Sequence, residues 1–313
     1  MIYKNNKKNI LITCAGGSGP IYMAKKMKNK FNVFLVDATD QTIAPYLGLP
    51  FEKIPFGNDP NYLRRMEFLI KKWNINCIVP GADEELLSIK ILCEGYPSLL
   101  AVLPSKDFIT LCLNKKKLME VLEKSNISHL LPFTDKKSIK YPAIAKPIFG
   151  RGSREVHIIK DSKQLEGYLK LYNKKFEDIL IQPYIGGEEY TISAIVNNLN
   201  QIISIVPKKI ILKRGITRVA VTEKNIIVEK ITKAIVEKLH PSGPFNIQLK
   251  IWKNRPYIFE INPRLSTTSV LTDKALENEV ELYIRYNNID KIKKTLSFRK
   301  GVYLYRYEEN YFK

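Results

Sequence analysis

The stretch FNIQLKIWKNRPYIFEIN, residues 245–262, constrains the fold more than any other. Two runs of alternating apolar and polar residues flank a short Lys-Asn-Arg link, which is the pattern of a β-hairpin. A hairpin fixes register, and register decides which side chains share a face. A turn centred on Asn254 sets Gln248 opposite Glu260 and Asn246 opposite Asn262, with paired side chains about 5 Å apart. Period-two alternation puts Ile258, Glu260 and Asn262 on one face and Tyr257, Phe259 and Ile261 on the other. Gln248, Glu260 and Asn262 then form a cluster of oxygen donors, with Arg264 directly after it. Mg²⁺ accepts such a set, since it takes one or two carboxylates and completes its octahedron with water and phosphate. A hydrogen-bonded polar patch beside solvent accounts for the cluster equally well.

The rest of the chain supplies two kinds of architecture. Short apolar runs (NILITCA, NVFLVDA, NCIVP, LLAVLP) alternate with helical segments such as NYLRRMEFLIKKW. That alternation predicts a parallel sheet with crossover helices over roughly the first hundred residues. A helix over NKKKLMEVLEKSNI opens a second, strand-rich part of mixed α+β character, with a further helix over 224–239. No flexible linker separates the parts, so they are expected to pack tightly.

Two more stretches carry chemistry. In AIAKPIFGRGSREV, Lys146 leaves an apolar strand, and Gly150 and Gly152 bracket Arg151 ahead of Ser153. Glycines let backbone N–H groups approach phosphate oxygens, and a lysine adds charge to the same anion. The lysine precedes the glycines and no G-K-[ST] helix follows, so this is not a P-loop, and an ordinary glycine-rich hairpin turn has the same composition. In LIQPYIGGEEY a strand ends at Gln182-Pro183, bends, and resumes at Glu188-Glu189. Such a bend can offer backbone groups to an adenine edge and an acid to ribose hydroxyls; it also reads as a β-turn with solvated acids.

These motifs, in this order and with Lys115 upstream, resemble the ATP-grasp superfamily over nearly the whole chain, most closely its carbamoyl-phosphate-synthase-like and amino-acid ligase branch. EINPR followed by small residues is the most specific match. ILITCAGGSG and VPGADEEL resemble the domain that precedes the ATP-grasp unit in that family. The resemblance implies an α/β and α+β protein: an N-terminal parallel-sheet pre-ATP-grasp domain (1–112), then a two-subdomain ATP-grasp fold with a small lid subdomain (113–186) and a C-terminal catalytic subdomain (187–313). It implies ATP and Mg²⁺ as cofactors. Lys115 and Lys146 would contact phosphates, Gly150, Gly152 and Ser153 would form the lid loop, and Gln182, Pro183, Tyr184 and Ile185 the adenine hinge. Glu189 would take the ribose, Gln248, Glu260 and Asn262 the magnesium, and Arg264, with Lys146, the reacting phosphoryl or acyl group. The implied reaction joins a small-molecule carboxylate to an amine through an acyl phosphate; a carboxylate kinase is the alternative. Pro183 stands where many relatives carry an acid.

Gly17, Asp83, Glu84 and Glu85 are candidate substrate residues, because open α/β sheets bind ligands beyond the C-terminal ends of their strands. Acids at a helix N-terminus, favoured by its dipole, explain GADEEL as well. A nicotinamide enzyme is the main rival, with Gly16, Gly17 and Gly19 after the first strand and Asp37 ending the second. GGSGPIY lacks the third glycine of that fingerprint, although Tyr22 and Lys26 have Tyr-x-x-x-Lys spacing.

The formal net charge of +20 is large, and a basic surface attracts polyanions. The lysines are scattered and no recognition motif accompanies them, so no specific nucleic acid is expected. With 45% hydrophobic residues the chain can bury sizeable cores. No apolar run is long enough to span a bilayer, so no membrane partner is expected. Cys14, Cys77, Cys93 and Cys112 show no C-x-x-C spacing, which suits a reduced, cytoplasmic protein. A homodimer remains open. The three histidines form no triad or metal pattern.

Overall fold

The computed structural model describes residues 7–150, 152 and 154–313. The first part is the expected parallel sheet. Strands β1 (Asn9–Ile12), β2 (Asn32–Asp37), β3 (Phe51–Lys53), β4 (Cys77–Val79) and β5 (Leu100–Ala101) lie in the order β3-β2-β1-β4-β5, all parallel. Helices α1 (Ser18–Met27), α2 (Tyr62–Lys72) and α3 (Leu86–Gly95) make the crossovers. Order reverses at β1, so the β1 and β4 loops open on one crevice, where such sheets take ligands.

Helices α4 (Lys106–Leu113) and α5 (Lys115–Lys124) lead into β6 (Ala143–Pro147), β7 (His157–Ile159), α6 (Ser162–Leu171) and β8 (Ile179–Pro183). These strands form a three-stranded antiparallel sheet, β7-β6-β8. Its alternation is clean. Ala143, Ala145, Ile179 and Ile181 pack with Leu165 and Tyr168 of α6, which leaves Ile144, Lys146, Leu180 and Gln182 on the opposite face.

The largest sheet has six strands in the order β13-β12-β9-β10-β11-β14: β9 (Glu188–Val196), β10 (Ile202–Arg214), β11 (Ile216–Thr222), β12 (Phe245–Trp252), β13 (Arg255–Asn262) and β14 (Tyr303–Tyr305). Tyr190, Ile192, Ala194, Ile247, Leu249, Ile258 and Ile261 pack on α5 and on α7 (Ile226–Leu239). Leu118, Met119 and Leu122 of α5 belong to the core of the six-stranded sheet and not to that of the three-stranded one. Helices α8 (Ser269–Ala275) and α9 (Glu279–Tyr286) follow the hairpin. The first sheet and the late chain share a core, in which Ile10, Ile12 and Met23 meet Ile195, Leu265, Val280 and Tyr283. The parts are packed, as the absence of a linker sequence suggests.

The hairpin pairs Gln248 with Glu260 and Asn246 with Asn262 as expected, but by a different route. The tip pairs Trp252 with Arg255, a two-residue turn, and the register shifts by one between Gln248 and Leu249. That shift is a β-bulge, which inserts one extra residue on β13 and reverses the alternation beyond it. Ile258 and Ile261 consequently both face the core, while Phe259 and Glu260 both line a cavity. The simple two-face division of β13 is corrected accordingly.

Candidate active site

A cavity of about 490 Å³ lies between the three-stranded and six-stranded sheets. Its far wall carries Ile144, Lys146 and Gln182; its near wall carries Glu189, Lys213, Gln248, Lys250, Phe259 and Glu260. Lys115 reaches it from the first turn of α5, where Asn114 caps the helix by accepting from the Lys117 N–H at 3.0 Å. Lys116 and Lys117 are exposed, which singles out Lys115 of the three. Among the described residues, five cationic side chains (Lys115, Lys146, Arg154, Lys213 and Lys250) face two carboxylates (Glu189 and Glu260) in this lining, a balance suited to a polyanion.

The cations are costly to keep. The Lys115 ammonium, 7% exposed, donates to Gly150 O at 2.5 Å and stands 3.6 Å from Glu260 Oε1. Lys146, 6% exposed, donates to Phe259 O at 2.8 Å. Burial depresses its pKa to about 8, against a pull upward from Glu260, with Lys115 and Lys213 adding to the depression. A buried ammonium with a depressed pKa, set in a cavity wall, is a frequent signature of a functional site.

The segment from Gln182 to Ile185 lines the cavity throughout. The Gln182 side chain is already used: its amide donates to Leu130 O at 2.6 Å and to Met119 Sδ at 3.4 Å. Pro183 has no N–H to give, and the Tyr184 N–H donates to Pro142 O at 3.2 Å. The next backbone donor along the chain is Ile185, whose carbonyl accepts from Lys250 Nζ at 2.9 Å. Glu189 pairs with Lys213 at 2.8 Å. Gly150 and Gly152 have φ of +124° and +69°, conformations natural to glycine. Gly150 lines this cavity and Gly152 the next one; Ser153 lies outside the described residues.

A second cavity of about 100 Å³ adjoins the first and shares Lys213, Gln248 and Glu260 with it. Asn262, Asn246, Arg264, Thr217, Ser266, Thr267 and Thr268 complete most of its wall. The Asn262 amide nitrogen donates to Asn246 Oδ1 at 3.3 Å, which leaves its own oxygen for another partner. Gln248, Glu260 and Asn262 thus present acceptors at the junction of the two cavities. One carboxylate and two amides are the donor types that could hold Mg²⁺ together with phosphate oxygens. Among the described residues no cluster of three or more His, Cys, Asp or Glu could hold a metal without such help.

The first module contributes differently from expectation. Arg264 Nε donates to Asp83 Oδ1 at 2.5 Å, across the module boundary. Glu85, 2% exposed, accepts from Thr13 Oγ1 at 2.5 Å, from the Gly81 and Ala82 N–H groups at 2.9 Å each, and from Tyr62 OH at 2.7 Å. Its carboxylate is consumed by the turn it holds, which removes Glu85 as a substrate residue. Glu84 is exposed, and neither it nor Gly17 lines the two cavities. The nicotinamide reading loses its anchors too. Asp37 accepts from the Gly16 and Thr39 N–H groups at 2.9 and 3.2 Å, and Tyr22 OH donates to Asp273 at 2.5 Å.

No sequence motif marks Lys213 or Lys250. Lys250 follows Gln248 at period two on β12, and that alternation is the sequence signal for its place on the cavity wall. Lys213 sits in KKIILKR beyond two register irregularities of β10, and no local pattern aims it.

An ATP-grasp domain family model matches residues 112–268, half of the chain. Among curated relatives, the D-alanine--D-alanine ligase of Petrotoga mobilis is 28% identical over 209 residues, covering 61% of this chain and 68% of its own. A formate-dependent phosphoribosylglycinamide formyltransferase of Prochlorococcus marinus is 22% identical, covering 90% and 76%. In fold the chain is similar to N5-carboxyaminoimidazole synthetase from Staphylococcus aureus complexed with ADP, with a TM-score of 0.74, 18% identity and coverage of 94% and 81%. It is also similar to the L-amino acid ligase of Bacillus licheniformis, with a TM-score of 0.70, 17% identity and coverage of 91% and 75%. The matched span runs from Cys112 at the end of α4 through the bulged hairpin to Thr268, and so takes in both walls of the lysine-lined cavity; the chain belongs to the ATP-grasp family.

Proposed function

We propose that the chain is an ADP-forming, ATP-dependent carboxylate–amine ligase working through an acyl phosphate. The observation that carries this reading is the convergence of Lys115, Lys146 and Lys213 with Glu260 where a nucleotide-sized cavity meets a small polar one. The larger cavity takes ATP: the Gln182–Ile185 segment faces the base, Glu189 the ribose, and the lysines the phosphates. Phosphoryl transfer asks a protein mainly for alignment and charge neutralisation. Gln248, Glu260 and Asn262 would hold Mg²⁺, which when bound neutralises phosphate charge.

The smaller cavity takes the carboxylate beside Arg264. A carboxylate oxygen attacks the γ-phosphorus, the bond to the bridging oxygen breaks, and ADP leaves. An amine then attacks the acyl carbon and expels inorganic phosphate, giving the amide. A cavity of about 100 Å³ is smaller than the roughly 150 Å³ that holds a benzene ring, so a carboxylate of few atoms fits best. Lys213 belongs to both linings and is the residue best placed to follow the phosphoryl group from donor to acceptor.

The test is magnesium-dependent ADP release over a panel of small carboxylates, with and without amines, and with hydroxylamine to trap an acyl phosphate as hydroxamate. ADP release that depends on one carboxylate, with hydroxamate formed in the absence of amine, is the expected result. Binding of ATP without carboxylate-dependent ADP release over the whole panel would contradict the ligase reading.

A further inference from the structure

We propose that Arg306 is a positioning residue for the smaller cavity, locking two of its walls to the first module. The kinetic part of this proposal rests on the ligase reading; the structural part does not. Arg306 follows β14 at the edge of the six-stranded sheet, and its N–H donates to Arg218 O at 2.8 Å. The guanidinium then spreads over three segments far apart in sequence. Nε donates to Thr217 O at 3.1 Å, Nη2 to Thr267 O at 2.8 Å, and Nη1 to the hydroxyl of Ser18. Thr217 and Thr267 both line the smaller cavity, and Ser18 opens α1 of the first module. Close packing reinforces the junction, for a Cβ on Gly19 would stand 3.6 Å from Thr267 Cα.

These three acceptors are neutral, although burial and the nearby Arg218 both press the guanidinium pKa downward. A planar fork with fixed donor directions can hold three acceptors in one geometry, which a lysine ammonium on a flexible stem cannot. The segment that ends at Thr267 begins with Arg264, so the same fork helps set where Arg264 stands. A shift of about 1 Å in such a wall can lower catalytic efficiency by roughly a hundredfold.

Arg306→Ala and Arg306→Lys in the full chain supply the test. With a magnesium complex of a non-hydrolysable ATP analogue, both variants should bind within about twofold of wild type, because their contacts lie outside the nucleotide cavity. Hydrogen exchange should rise at 16–19, 216–218 and 264–268 and stay at the wild-type level in β6, β7 and β8. With glycine, L-alanine, formate and bicarbonate as carboxylate probes, KM should rise roughly tenfold or more, kcat should change by less than about threefold, and Lys should restore part of the loss. Exchange that rises evenly over all three sheets, or an unchanged KM alongside loosened walls, overturns the proposal. If wild type binds no nucleotide or uses none of the probes, the ligase reading fails, and local exchange then decides for Arg306 where it rises only at the three segments and against it where it does not.

Discussion

Glu85 and Glu260 are two carboxylates in opposite company. Glu85 is sealed in the first module and accepts from four donors, two of them backbone N–H groups of its own turn. Glu260 is half-buried at the junction of two cavities, with the Lys115 ammonium 3.6 Å away and the buried Lys146 within electrostatic reach. Fixed dipoles satisfy the first, so its work is structural. Ammonium groups on long side chains oppose the second across open space, and a ligand can rearrange them. The pairing of an acid, more than its presence in a suggestive motif, is what distinguishes Glu85 from the carboxylate proposed to work with the nucleotide, Glu260.

The sharpest way to break this contrast is to neutralise Glu260. Glu260→Gln should lower turnover roughly a hundredfold or more, as expected on losing one charge-stabilising group at a transferred phosphate. Its melting temperature should stay close to wild type. ADP formation across a magnesium titration, run beside thermal unfolding, checks both halves. Normal turnover at low magnesium would sink the metal assignment.

Glu85→Ala should do the reverse. Leaving several buried donors unpaired should cost roughly 3 kcal/mol of stability, with nucleotide affinity per folded molecule unchanged. Denaturant unfolding and calorimetric titration separate the two effects. A destabilised variant that also lost nucleotide affinity would erase the distinction between the two acids.

A smaller effect is expected at the shared wall. Lys213→Ala should reduce turnover about tenfold while changing nucleotide affinity less, since a charge-assisted contact to the moving phosphoryl group strengthens in the transition state. Single-turnover kinetics beside equilibrium binding tests this. Equal losses in both would place Lys213 on the ground-state nucleotide alone.

The smallest effect concerns pH. The folded pKa of Lys146 lies near 8, below its unfolded value. Between that value and the unfolded pKa near 10.4 the unfolded chain holds more protons, so this group makes stability rise with pH over that window. Below about pH 8 the charge is present in both states and the contribution is flat. Unfolding free energies measured from pH 7 to 10 for wild type and Lys146→Met should diverge in slope above pH 8. Parallel slopes would mean that burial does not depress the pKa of Lys146.

Much of this was legible in the sequence, for definite reasons. The parallel sheet of the first part follows from apolar runs separated by helical periodicity, both of which are local signals. The pairing of Gln248 with Glu260 follows from hairpin symmetry. The bulge at Phe259 was not legible, because one inserted residue leaves no mark in composition; in retrospect the three-residue spacing of the core residues Ile258 and Ile261 is its trace. Glu85 looked like a ligand because a turn's own donors cannot be counted from sequence. Lys213 and Arg306 depend on strand pairings and tail placement with sequence separations that no local pattern encodes. The bend at Gln182 to Ile185 is marked by its Pro and Gly residues, whereas its free backbone donors depend on the Tyr184 contact with Pro142, which no local pattern encodes.

The most direct measurement is calorimetric titration of a non-hydrolysable ATP analogue into wild type and Lys146→Met, with and without magnesium, at pH 7. The account predicts one site per chain, tighter with magnesium, and roughly ten- to hundredfold weaker in the folded Lys146→Met variant, the scale of a lost charge-assisted contact in a buried site. No binding to wild type, or the same affinity in both proteins, would contradict it.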